Sequence, residues 1–178
     1  TEENCGEKDI EFNVVSNLTL LDDDMIRFFA DHRVNVSTSL DGDGRIHNSN
    51  RPLPGGNSYE VWKFKYSRLV ASLGHKIGAI QTTTRLSLDH PREIVDTYIE
   101  NGFDRVFIRP LTPLGYAASR WESIGYSADD FLSFYNDALM YIIEKAREGV
   151  PISEGHAVIF LGKILNHRAG NYTELRSP

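Results

Sequence analysis

Residues 34–51 read VNVSTSLDGDGRIHNSNR, and their pattern decides the fold. Asn35, Ser37, Ser39 and Asp41 share one parity, while Val34, Val36 and Leu40 hold the other. Alternation with a period of two is the signature of a β-strand with two unlike faces. Gly42 and Gly44 then break the strand, which sets Ser39 and Asp41 at its C-terminal mouth. Ligands of parallel α/β proteins bind at that mouth. Arg51 follows in an expected loop that can fold back over the same opening.

The same unit repeats on both sides of this stretch. Residues 10–16 (IEFNVVS) form an expected first strand, with Asn13 and Asn17 on one parity, and Asp22 or Asp23 caps a following helix. After the turn RPLPGGN, a helix is expected over 58–73 with Gly74 at its C-terminal stop. A third strand over 76–85 carries Gln81, Thr83 and Arg85 on one parity. Asp89 caps the next helix, Pro91 lies in its first turn and Gly102 ends it. A fourth strand over 104–111 carries Arg105, Phe107 and Arg109 on one face. Strands alternating with helices imply a parallel sheet with right-handed crossovers. Parallel strands buried on both faces read as continuous apolar runs. Here all four carry a polar stripe, which fits strands lining the lumen of a barrel or part of one.

Beyond Pro113 the character changes. Ser127 with Asp130 three residues later resembles a capping box, and it opens an expected helix over 128–148. Residues 156–165 suit another helix, with a strand left open by their length. The expected organisation is a loose arm at 1–9, a partial barrel over 10–116, and a helical extension with the start of a linker over 117–178.

Composition narrows the function. A chain of 178 residues with 40% apolar content suits one substantial core. The net charge of −6 and the lack of a basic stripe argue against nucleic acid, and no run is apolar enough to span a membrane. One cysteine, Cys5, makes no intramolecular disulfide, so a cytoplasmic location is expected. The six histidines show no metal-ligand spacing, and His47 is the one nearest the mouth. Neither a Gly-x-Ser-x-Gly elbow nor a Walker-type loop is present. Small-ligand binding is better supported. Ser39 offers a hydroxyl, Asp41 a carboxylate, and Arg51 a planar fork suited to bidentate carboxylate recognition. A zwitterion with a flat ring would suit this set. Two other readings stay open: a stand-alone module binding a small ligand or peptide, and a barrel hydrolase using Asp41, which needs a second carboxylate.

SNLTLL (16–21), SLDG (39–42) and IHNSNR (46–51), together with QTTT (81–84) and FIRPLTPLG (107–115), resemble segments of radical S-adenosylmethionine (SAM) enzymes. The similarity is to anaerobic sulfatase-maturating enzymes and related peptide maturases, and it covers roughly residues 10–116. SNLTLL also suggests a maturase of His-Xaa-Ser repeat peptides. The resemblance implies a partial (β/α) barrel, a peptide or protein substrate, and SAM as cofactor. It also implies a [4Fe–4S] cluster, held by a CxxxCxxC loop, that cleaves SAM to a 5′-deoxyadenosyl radical. It assigns Ser39 and Arg51 to the methionyl carboxylate of SAM. Asn17, Asp41, Gln81 and Thr83 become lumen positions near ribose or substrate, and the backbone around Leu111 approaches the adenine. The chain departs from the pattern in two places. Leu18 stands where the family usually has Gly, and no CxxxCxxC loop is present. The expectation is therefore a central segment of a longer enzyme, which by itself binds no iron and has no radical activity.

Overall fold

A computed structural model of the chain describes residues 10–166. The expected arm with Cys5 and the expected linker at 169–178 lie outside those residues. Five strands form one parallel sheet in the order β1-β2-β3-β4-β5, comprising Asn13–Ser16, Asn35–Ser39, Gly78–Thr83, Arg105–Pro110 and Ser153–Glu154. Spatial order follows chain order, so every crossover advances by one strand in the same direction. That is the topology of a (β/α) barrel left open.

The crossovers are α1 (Asp23–Asp31), α2 (Gly44–Asn50), α3 (Ser58–Leu73), α4 (Pro91–Glu100), α5 (Tyr116–Ile124) and α6 (Ala128–Arg147), and α7 (Gly155–Asn166) follows the last strand. Local chemistry sets their ends. The Asp22 carboxylate accepts from the Met25 amide at 2.8 Å, and the Asn57 side chain accepts from the Glu60 amide at 3.1 Å. Ser127 and Asp130 do form a reciprocal capping box, with Asp in the place of the usual Glu. Gly74 stops α3 in the left-handed region at φ 71. Asp89 does not cap α4. It ends a short 3-10 turn (Arg85–Asp89), and the N-cap position belongs to His90. Three elements depart from the sequence expectation: α2 in place of a loop, α5, and the two-residue β5.

The register fixes which side chains share a face. Val36, Thr38, Ala79, Gln81, Thr83, Val106 and Ile108 are buried beneath the helices. Ser37, Ser39, Ile80, Thr82 and Phe107 lie on the other face, which α7 covers at Phe107, where the His156 ring stands 4.2 Å from the Phe107 ring between centroids. Gln81 and Thr83 therefore do not face the lumen, contrary to the expectation from parity. They are polar on the buried side, where the Thr83 hydroxyl donates to Gln81 Oε1 at 2.9 Å. Thr82 takes the open-face place. Beneath the sheet, Trp62 stacks on Tyr66 with centroids 5.0 Å apart, and Tyr66 meets Phe103 at 5.1 Å. Tyr98 and Ile94 of α4 complete this layer.

Candidate functional site at the strand mouths

The turn after β2 is the best-tied segment of the mouth. The Leu40 amide donates to the Ile80 carbonyl at 3.1 Å, and its own carbonyl accepts the buried Tyr98 hydroxyl at 2.8 Å. Gly42 then turns the chain at φ +146, where a Cβ would meet Ile46 and Ile94 side-chain atoms at 3.1 Å. Asp43 caps α2 by accepting from the Ile46 amide at 2.9 Å, so the helix starts at once and delivers Arg51 at its C-terminus.

Arg51 folds back as the sequence implied, and its partner is Asp41. Nε donates to Asp41 Oδ2 at 2.8 Å and Nη2 to Oδ1 at 3.1 Å. Oδ1 also accepts the Thr82 amide at 3.1 Å. The Asp41 carboxylate is buried at 1% exposure and committed to three donors. This overturns the reading of Asp41 as a hydrolytic acid, because among the described residues it is also the only carboxylate lining the cavity beside it. Arg51 keeps its Nη1 group without a hydrogen-bond acceptor among the described residues.

His47 of α2 is buried under the same turn, and its Nδ1 accepts the Asp41 amide at 3.4 Å. Burial lowers its pKa to about 4, with the Arg51 charge adding to the effect and the Asp41 charge opposing it. The ring is neutral at pH 7 and carries its hydrogen on Nε2, since Nδ1 accepts. Tyr98 is pushed well above its usual range by burial first and by Asp41 second, so its hydroxyl is a permanent donor to Leu40.

A cavity of about 490 Å³ opens at the strand ends, lined by Asp41, Asn50, Arg51, Thr82, Thr84 and Leu86 on one side. Leu111, Leu114, Tyr116, Ala117, Arg120 and Ile124 close the other side. A larger cleft of about 840 Å³ lies between α4 and α6, but it is lined by helix-layer residues such as Arg92, Asp137 and Glu144. None of the residues around the β2 turn reaches that cleft, so the chemistry belongs to the smaller one. Outside that lining, the Tyr126 hydroxyl ties the end of β3 to the residue that follows β4. It accepts the Leu111 amide at 2.7 Å and donates to the Thr83 carbonyl at 3.1 Å. Burial raises its pKa, which the Leu111 bond partly offsets.

Of the residues expected at the site, the cavity unites Asp41, Arg51 and Leu111. Ser39 sits half-buried on the open face at the end of β2, outside that lining. Asn17 is exposed after β1, where its Oδ1 accepts the Thr19 amide at 3.1 Å in an Asx-type turn. Gln81 and Thr83 are on the helix side. The sequence reading missed Asn50, Thr82, Thr84 and Tyr126. Thr82 was recoverable, since Ala79 on the opposite parity already supplies an apolar residue for the helix face. Nothing local to Tyr126 marks it as a bridge.

The chemistry of the donors separates two groups that the resemblance implies. The fork of Arg51, the buried amide of Asn50 and the apolar far wall fit a zwitterion with a flat ring. An iron–sulfur cluster finds no fit: the described residues include no cysteine, and none of their His, Asp and Glu side chains group in threes.

No family model matches the chain. It is 26% identical over 164 residues to an uncharacterized protein of Methanothermobacter thermautotrophicus, covering 92% of this chain and 59% of the relative. The fold is that of anSMEcpe, a radical SAM anaerobic sulfatase-maturating enzyme. Its structure with bound AdoMet superposes with a TM-score of 0.81 at 19% identity, covering 96% of this chain and 47% of that one. The structure with AdoMet and the Kp18Cys peptide gives a TM-score of 0.80 at 19% identity, again over 96% and 47%. The chain thus spans about half the length of these structures. Among the described residues, no helix is long and apolar enough to cross a membrane.

Proposed function

We propose that this chain forms the SAM-binding half of a radical SAM enzyme that modifies a peptide or protein. The observation that carries the reading is Arg51, pinned by two bonds to Asp41 at the lip of a cavity at the strand mouths. A fork held in this way presents its remaining edge to a carboxylate without having to find its conformation first. The shared fold with structures that hold AdoMet, and in one case a peptide as well, supports the same assignment.

In this reading Arg51, with Ser39 beside it, holds the methionyl carboxylate of SAM. The backbone at Leu111 receives the adenine, and Asn17 and Thr82 border the ribose side. Asp41 touches no ligand; it orients Arg51. The chemistry that SAM would supply there, together with a [4Fe–4S] cluster, is a radical for hydrogen abstraction from the substrate. The cluster's ligands come from outside residues 10–166.

Isothermal titration with SAM tests the assignment. Wild type is expected to bind saturably, and Arg51→Met is expected to weaken binding about tenfold or more, as for loss of a charge-assisted hydrogen bond. Equal affinity in the two proteins would refute the role given to Arg51.

A further inference from the structure

Among the described residues, three buried polar side-chain atoms have no hydrogen-bond partner: Asn50 Nδ2, Gln81 Nε2 and His90 Nδ1. Of these residues only Asn50 lines the cavity at the strand mouths. Its other amide atom is anchored, because Oδ1 accepts the Thr84 hydroxyl at 2.9 Å. Thr84 is in turn held by Ser87. The Thr84 amide donates to Ser87 Oγ at 3.1 Å, and the two hydroxyl oxygens stand 3.4 Å apart. A relay from Ser87 through Thr84 to Oδ1 fixes the amide plane and leaves Nδ2 buried with no acceptor among the described residues. A buried donor left unpaired costs about 1–3 kcal/mol, so an orphan amide beside a cavity calls for a ligand acceptor.

The position narrows which acceptor. Arg51 is fixed through Asp41 at the level of the Thr82 amide, whereas Asn50 is fixed at Thr84. Two residues of extended chain separate those levels, on the order of 6–7 Å. Separate anchors suit separate groups of one ligand. Leu86, Leu111, Leu114 and Ile124 in the same lining suit a flat ring rather than a second charge.

We propose that Asn50 is a specificity-determining residue whose Nδ2 donates to an acceptor on the nucleoside half of the ligand, a ring nitrogen or a sugar hydroxyl. This rests on the SAM-binding reading, and three probes separate the two claims. SAM carries both halves, 5′-methylthioadenosine carries the nucleoside without the carboxylate, and methionine carries the carboxylate without the nucleoside. Asn50→Ala is expected to weaken SAM and methylthioadenosine about fivefold and leave methionine unchanged, the effect of one neutral hydrogen bond. Arg51→Met is expected to weaken SAM and methionine and spare methylthioadenosine.

If Asn50→Ala binds methylthioadenosine as tightly as wild type while Arg51→Met still loses SAM, the Asn50 assignment is overturned and the carboxylate site stands. If Asn50→Asp binds methylthioadenosine as well as wild type, the amide acts as an acceptor and the proposed donor role fails. If wild type binds none of the three probes, both claims fail together. A readout independent of any variant is the pair of Asn50 side-chain amide proton resonances. These are expected to move on adding methylthioadenosine and to stay in place with methionine; the reverse pattern would overturn the assignment.

Discussion

Removing Arg51 should expose how much of the mouth depends on one ion pair. Asp41 is at 1% exposure and takes three N–H donors, two of them from Arg51. Arg51→Met strands a buried carboxylate with only the Thr82 amide, a type of loss that costs about 3–5 kcal/mol. A domain has on the order of 5–15 kcal/mol in total, so the midpoint of a urea transition followed by circular dichroism should fall markedly. Relieving the stranded charge should restore part of that stability. Asn at position 41 still accepts from Thr82 but carries no charge, so Asp41→Asn with Arg51→Met should be more stable than Arg51→Met alone by about 2 kcal/mol. A loss below about 1 kcal/mol, as in an exposed pair, would refute the reasoning. So would a double variant no more stable than the single one.

Two further perturbations follow from the same neighbourhood. His47 has a folded pKa of about 4 against 6.5 for the free side chain, so the unfolded chain binds the proton first. Its contribution is intact above pH 6.5 and is lost as pH falls toward 4, a total of roughly 3 kcal/mol. Stability measured over that window should fall more steeply for wild type than for His47→Gln; parallel curves would contradict the burial argument. Leu18 sits at φ 61 with its side chain fully buried, a conformation that costs a residue with a Cβ about 1–2 kcal/mol. Leu18→Gly should therefore be more stable than Leu18→Ala in urea titrations, the reverse of the usual order, and a more stable Ala variant would refute the strain.

Much of the scaffold was legible because repeated local signals agreed. The caps Asp22 and Ser127, the stop at Gly74 and Pro91 in the first turn of α4 each mark an element that the structure contains. What was illegible lacked a stripe. Residues 44–50 bury only Ile46 and His47, and α5 buries none of its residues, so neither leaves an apolar period in the sequence. Gln81 and Thr83 misled for a different reason. Their polarity suggests the open face, but they meet their hydrogen-bonding needs in part from each other beneath the helices. Parity tells which residues share a face, not which face is covered. Arg51 was readable as a carboxylate fork; its internal carboxylate partner was not, because a turn and a helix between them, ten positions apart in the chain, bring them together.

That partnership changes what the SLDG turn is for. A free arginine gives up on the order of 2 kcal/mol of rotamer entropy when it binds a ligand. Here that cost is met in the folded protein, because Asp41 holds Nε and Nη2 whether or not a ligand is present. The anchoring works only if Asp41 is itself immobile. Tyr98 fixes the carbonyl before it, His47 and Thr82 bind its amide and carboxylate, and Gly42 permits the close approach of Ile46 and Ile94 behind it. Tyr98, His47 and Gly42 lie outside the expected contact set, and each helps to set the position of Arg51 within it. Substitutions at Tyr98 or Gly42 should therefore reach the ligand through Arg51, weakening carboxylate-bearing probes while leaving carboxylate-free ones bound.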